Sequence, residues 1–241
     1  MTIRKQIGDA YVQAAELRAQ STFLIREATD VVFASCGISD LDEGEWANKG
    51  RELGFVGKVS PHSIRAWNVS EKVRSLVQAI EASGSKPLGK LVSPGTLRKG
   101  PSFQRIPVSP GHGVSLIGQR QLVRFRPRPK NIAKRGVPDS AFCKEGTTLI
   151  ASRGTFGEAE VFGRAQYVSE LNSTWLFSND ILRVSAKDRD LSSWLYAFLR
   201  SRSAFRMIRS VATGSKQQDL HPTGLANLPV PFGSKKYQVR S

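Results

Sequence analysis

No stretch of this sequence approaches the ~18 consecutive apolar residues that a bilayer-spanning helix needs, and the opening residues, MTIRKQIGDAYVQ, carry no apolar block of the secretory kind. Cysteine is scarce. Cys36 and Cys143 lie far apart and stand at no metal-ligand spacing from His62, His112 or His221. That argues against a disulfide framework or a zinc site and for a reduced, cytoplasmic protein. Acidic residues are few in number, 20 against 36 Lys and Arg, for a net charge of +16. The deficit is uneven: residues 1–90 hold 12 basic against 11 acidic side chains, and residues 91–241 hold 24 against 9. Arginine predominates in the second part. Such asymmetry reads as a basic module with a near-neutral appendage and points to a polyanionic partner, with nucleic acid, a ribosome surface or a membrane surface all compatible.

Motifs of catalysis are missing as well. There is no G-x-x-x-x-G-K-[ST] segment, and neither Gly111–Gly113 nor Gly154–Gly157 fits G-x-G-x-x-G. The run Asn227-Leu228-Pro229-Val230-Pro231-Phe232 resembles an amino-methyltransferase tetrad only superficially, because the adjacent prolines are absent. No Glu-x-Lys pair follows Pro138-Asp139 in nuclease fashion, and no nucleophile stands beside a base. The expectation is a protein without catalytic residues, metal or cofactor.

What is present begins with a seam. Ile3, Ile7, Ala10, Ala14, Leu17, Leu24, Ala28 and Val31 recur at steps of four and three, interrupted only by Ser21. This predicts a coiled-coil-like helix of about thirty residues, stopping near Cys36-Gly37. A second apolar set (Tyr11, Phe23, Ile25, Val32) widens the stripe, so burial on its own domain and pairing with a partner helix fit equally well. Residues 37–60 read as a loop region with an acidic run at Asp40, Asp42, Glu43 and Glu45. A helix follows over residues 68–82, capped by Asn68 or Ser70 and apolar at Val73, Leu76, Val77 and Ile80.

From Val92 to Asp180 the pattern turns to short strands: Val114–Ile117, Gln121–Phe125, Thr147–Ser152, Glu160–Phe162 and Ser173–Phe177, with Ile181–Val184 beyond. Thr147–Ser152 and Glu158–Phe162 flank a Gly-containing loop and read as a hairpin, with Arg153 and Thr155 at its tip. Taken alone, this hairpin is either a surface turn with a solvated arginine or an anion-contacting tip. Arg120, Arg124, Arg126, Arg128, Lys130, Lys134 and Arg135 form a basic rim among the strands. Beyond Asp180 the period becomes helical. Asp190 is placed to cap a helix holding Leu191, Trp194, Leu195, Phe198 and Leu199, and a second helix runs over residues 203–213, ending at Gly214. Arg202, Arg206 and Arg209 share one face of that segment, just before Ser215-Lys216-Gln217-Gln218.

Four segments in order, SFQRIPVSPGHGVSLIGQRQL, EGTTLIASRGTFGEAEVFG, SNDILRVSAKDRDLSSWLYAFLRSRSAFRMI and GSKQQDLHPTGLANLPVPF, resemble the target recognition domain of the DNA specificity (S) subunit of type I restriction–modification systems. The leading helix resembles that family's spacer helix. The resemblance implies an α/β fold: a globular recognition domain with a curved, mostly β core and C-terminal helices, preceded by the long helix. It divides the chain into a partner helix (1–36), a connection (37–90), a recognition domain (91–232) and a polar tail (233–241). Double-stranded DNA would be the ligand. Base-reading candidates are Arg153, Thr155, Ser215, Lys216, Gln217 and Gln218, and phosphate candidates are Arg98, Lys99, Arg105, Arg120, Arg164, Arg202, Arg206 and Arg209. A full S subunit has two recognition domains and two helices. One of each implies a half-subunit that dimerises through its helix or joins another chain, working with a methyltransferase subunit and a restriction/translocase subunit. The competing reading is a basic RNA-binding or ribosome-associated protein, although Phe103, Phe125 and Phe142 are almost the only aromatics among the basic loops.

Overall fold

The computed structural model describes residues 2–48 and 65–232. His62, the glycines Gly50, Gly54 and Gly57, and the tail from 233 onward lie outside the described residues. The first element, α1 (Ile3–Ala34), is 32 residues long, half of them the helix formers Ala, Leu, Gln, Arg and Glu, with no proline, and Gly8 does not interrupt it. It stops where Gly37 takes φ +71° and the Gly37 and Ile38 amides donate to the carbonyls of Ala34 and Phe33. Only its last turns are buried. Thr29, Val32 and Phe33 are buried, while Ile3, Ile7, Leu17, Leu24 and Val31 along the heptad seam are more than half exposed. A short helix, α2 (Glu43–Asn48), follows, and later α3 (Glu71–Ala82), whose N-cap Ser70 makes no side-chain capping bond. Asn68 instead donates to the carbonyl of Ala212 at 2.9 Å.

The chain then forms β1 (Ser85–Pro87), α4 (Leu88–Leu91), β2 (Arg98–Lys99), β3 (Val114–Ile117) and β4 (Lys130–Ile132). Next come β5 (Thr148–Ala151), β6 (Arg153–Gly154), β7 (Ala165–Tyr167), β8 (Leu176–Phe177) and β9 (Ile181–Val184). Four strands make an antiparallel sheet in the order β2-β9-β5-β7, and three make a second sheet, β4-β3-β8, with β3 and β8 parallel. Both faces of the four-stranded sheet are covered, which is why β5 and β9 are buried along their whole length and carry apolar residues on both faces, with Thr148 and Arg183 the polar exceptions. Ile150, Leu182 and Val184 face the helices, while Leu149, Ala151 and Ile181 face Ile117, Leu122 and Phe177 on the other side.

Two strands expected from sequence are absent. Gln121–Phe125 is a 3₁₀ turn followed by a loop, in which Leu122 is buried but Val123 and Phe125 are exposed, so no sheet face forms. Glu160–Phe162 is a turn. The partner of β5 is β7, in register Thr148↔Tyr167, and the 160–162 carbonyls are taken by arginines instead of a strand.

The helical end comprises α5 (Arg189–Leu199), α6 (Arg202–Ser210), β10 (Gln218–Asp219), α7 (Pro222–Ala226) and β11 (Pro229–Pro231). The cap of α5 is Asp188, not Asp190. Its carboxylate stands three residues before the Leu191 amide it accepts from at 2.8 Å, whereas Asp190 falls inside the first turn. Ser201 caps α6 in the same way. Of the stretch 37–90, expected as a connection, the described residues 65–90 contribute to this packing. Strand β1 pairs with β11, and Ile80 and Leu88 share a core with Phe33, Phe198 and Val230. At roughly 2 kcal/mol per buried large side chain, Val32 and Phe33 tie the end of α1 firmly to α5.

Candidate nucleic-acid interface

The strand β5 runs into Ser152, which is fully buried and whose amide and hydroxyl both donate to the carbonyl of Asp180. Immediately beyond it the chain leaves the sheet. Arg153–Gly154 pairs instead with Gln218–Asp219, Gly154 opposite Gln218 and Arg153 opposite Asp219. Glycine is required at 154 because a Cβ there would stand 2.9 Å from the Cβ of Phe162. The other half of the ribbon turns at Gly214, with φ +103° and a Cβ position 2.2 Å from the carbonyl oxygen of Gln217. Thr213 and Asp219 close that turn through reciprocal backbone bonds. The expected hairpin tip and the late Ser215–Gln217 loop are thus neighbours across a two-stranded ribbon.

Beside the ribbon lies an open cleft of about 840 Å³. Arg105, Arg120, Arg128, Lys130, Arg153 and Lys216 line it, opposed by only Glu160 and Asp180, with Thr155, Ser178 and Gln217 among the neutral polar groups. These cations come from separate segments: the strand-rich centre, the basic rim and the late loop. A concavity with such an excess of one sign focuses its field on an anion entering it.

Arg153 is the most constrained cation in the cleft. Its Nη1 lies 2.9 Å from Asp180 Oδ1 and its Nε 3.9 Å from Asp219 Oδ1. Asp219 in turn receives Lys99 Nζ at 2.5 Å. The backbone of Arg153 is clamped on its other side by the Gln119 carboxamide, whose Oε1 accepts from the Arg153 amide at 2.8 Å and whose Nε2 donates to the Arg153 carbonyl. Half of the arginine side chain nonetheless remains exposed.

The sequence-predicted residues divide into groups. Arg153, Thr155, Lys216 and Gln217 line the cleft together with Arg105 and Arg120, and Arg105 is steadied by Asn179 at 2.9 Å. Ser215 and Arg98 are exposed, and Lys99 is engaged by Asp219. Gln218 departs from expectation. It is buried, accepts from Arg65 at 2.6 Å and donates to the Ser215 carbonyl at 2.6 Å, so its amide shapes the loop rather than facing outward.

Arg164, Arg206 and Arg209, expected at phosphates, are corrected in the same sense. Arg209 is fully buried and donates to the carbonyls of Phe162, Phe156 and Gly157 at 3.1, 2.8 and 2.9 Å. Burial pulls its pKa down to about 10. Arg206 is buried against Trp46 and Phe205 and bonded to Glu158 at 2.6 Å. Arg164 holds the carbonyls of Glu160 and Glu158. A loop with few ladder bonds of its own needs donors for its carbonyls, and three arginines supply them. Arg202 remains exposed beside Glu43 at 3.4 Å, on the rim of a separate hollow near α2.

Sequence reasoning missed Gln119, Asp180 and Asp219, whose roles come only from the ribbon's pairing. Arg128 and Lys130 carried a signal, since both belong to the basic rim. It also missed Arg183, which is buried on β9 and donates to the carbonyls of Ser140 and Ala141 at 2.5 and 2.9 Å; burial lowers its pKa.

Among the described residues no three His, Cys, Asp or Glu side chains cluster to hold a metal ion, and no helix is long and apolar enough to cross a membrane. No protein-family model matches the chain, and no curated protein matches it. Among solved structures, the chain is similar to the type I restriction–modification system S subunit from M. genitalium, at 19% identity and a TM-score of 0.43. The match covers 63% of this chain and 34% of that one, so the chain spans about a third of that subunit's length.

Proposed function

We propose that this chain reads the sequence of double-stranded DNA as the half-specificity subunit of a restriction–modification complex, and that a partner methyltransferase subunit and a nuclease/translocase subunit supply the chemistry. The single observation that carries the reading is the ribbon of β6 and β10. It sets the tip at Arg153–Thr155 and the loop at Lys216–Gln217 on one cation-lined cleft. Side chains presented on and beside a paired ribbon suit base edges, and the surrounding Arg105, Arg120, Arg128 and Lys130 suit phosphates. The exposed seam of α1 suits a second helix, from another copy or a partner subunit.

The test is selection from a random duplex pool with the full chain, followed by titration of the enriched duplex at several salt concentrations. A discrete enriched sequence, with affinity falling steeply as salt rises, is expected. Equal retention of all duplexes, or tighter binding to single-stranded or A-form RNA, would overturn the reading.

A further inference from the structure

We propose that Arg153 reads a guanine, and that Asp180 and Asp219 are positioning residues that fix its guanidinium for that contact. The proposal rests on the DNA-reading assignment of the cleft and names the base and the residues responsible for part of its specificity.

The argument begins from an oddity of charge. A wall made to hold phosphate gains nothing from a carboxylate, yet Asp180 lines the cleft 2.9 Å from Arg153. Two carboxylates offset the charges of Arg153 and Lys99 at that point, so a phosphate gains little there, whereas a neutral base edge needs only the donors. The local electrostatics therefore separate Arg153 from Arg105, Arg120 and Arg128, for which no ion pair is found among the described residues.

Geometry supplies the second step. Asp180 engages Nη1, Asp219 stands toward Nε, and Nη2 has no partner among the described residues. The supports are themselves anchored: Asp219 by Lys99 and by its backbone bonds to Thr213, and Asp180 by the two bonds its carbonyl accepts from Ser152. With its backbone clamped by Gln119 as well, Arg153 has few rotamers left to lose on binding. A planar donor fork held in advance matches the paired acceptors O6 and N7 that guanine alone presents in the major groove.

The experiment takes the sequence selected by the wild-type chain and measures binding to the set of duplexes that vary one base pair at a time. Arg153→Ala is expected to flatten the preference at one G·C position by about 10- to 100-fold and leave other positions unchanged. Arg153→Lys, which keeps the charge without the fork, is expected to lose the same preference. Asp180→Asn is expected to weaken that same preference several-fold while raising affinity for random duplex, since a negative charge leaves the cleft. The Ser152 bonds use the Asp180 backbone carbonyl and survive the change, and an unaltered melting temperature checks this. Uniform weakening by Arg153→Ala at every sequence, or Asp180→Asn raising affinity with each preference intact, overturns the proposal. A wild-type chain that selects no sequence defeats the DNA-reading assignment itself, and this inference falls with it.

Discussion

Arg209 lies 4.1 Å from the ring centroid of Phe205 and spends all three of its nitrogens on the carbonyls of the 156–162 loop. Its pKa of about 10 is still high enough to keep it charged at neutral pH. Arg209→Met removes the donors and leaves buried carbonyls unpaired, so a loss of about 3 kcal/mol is expected in urea unfolding at unchanged slope. A loss under ~1 kcal/mol would mean that water replaces the arginine at no great cost. Glu158 gives the matching pH effect. The hydrogen bond from Arg206 holds its carboxyl below the ordinary value of 4.5. A depressed folded-state pKa means that its contribution is present above pH 4.5 and disappears as pH falls through the folded value. Glu158→Gln should therefore shrink the stability difference between pH 6 and acid by a modest amount, because Glu158 is largely exposed. An identical acid limb in the variant would show that the pair is inert. In the sequence these arginines look no different from those lining the cleft. Periodicity places Arg202, Arg206 and Arg209 near one helix face, but only the path of the 156–164 loop decides that two of them turn inward.

The ribbon of β6 and β10 is the element on which the site depends, and it is held by only two residue pairs. Gly154→Ala brings a methyl within 2.9 Å of the Phe162 Cβ, so either the ribbon or the loop must shift. A destabilisation of about 1–3 kcal/mol is expected, together with loss of sequence preference and retention of salt-sensitive binding to random duplex. Unchanged preference in a stable Gly154→Ala chain would detach the ribbon from recognition. This element also marks what the sequence could and could not convey. The strands β3 and β9 match the expected Val114–Ile117 and Ile181–Val184 to the residue, because both are short segments dominated by Val, Ile and Leu, with Ser115 and Arg183 the exceptions. A two-residue strand has no period. Arg153 was legible as a tip residue, but its strand partner Asp219, far along the chain, was not, and neither was the inward turn of Gln218. Glu158–Phe162 imitates a strand because Val161 and Phe162 are apolar for another reason: Phe162 packs edge-on against Phe156 under Arg209.

At the scale of the whole molecule, a near-neutral front segment is joined to a basic body through the last turns of α1. Thr29 donates to the Ala197 carbonyl at 3.1 Å, and Phe33 meets Phe198 with ring centroids 6.1 Å apart, so the helix grows out of the core and then projects from it. Along the projection Arg18 covers the ring of Phe125 at 4.0 Å, while Ile3, Ile7, Tyr11, Leu17 and Leu24 stay open. Heptad spacing alone left open whether the seam was internal or external, since either surface rewards the same residues. The structure settles that for the isolated chain: the docked face is Ile25, Thr29, Val32 and Phe33, on the side that the seam does not use. A cut at residue 35 therefore removes core, whereas a cut at residue 23 removes no buried residue and, of the contacts with the body, the one from Arg18 to Phe125. Deletion of residues 2–23 should leave the thermal midpoint nearly unchanged and shift sedimentation toward the monomer or abolish subunit capture. Deletion of residues 2–35 should cost about 4 kcal/mol or more through the lost Val32 and Phe33 packing. If the shorter deletion also unfolds the body, the seam is propping up its own domain, and the Arg18–Phe125 contact becomes the first place to look for the support. If the shorter deletion folds yet sediments as the intact chain does, association runs through some other surface, and the half-subunit arrangement loses its coupling device.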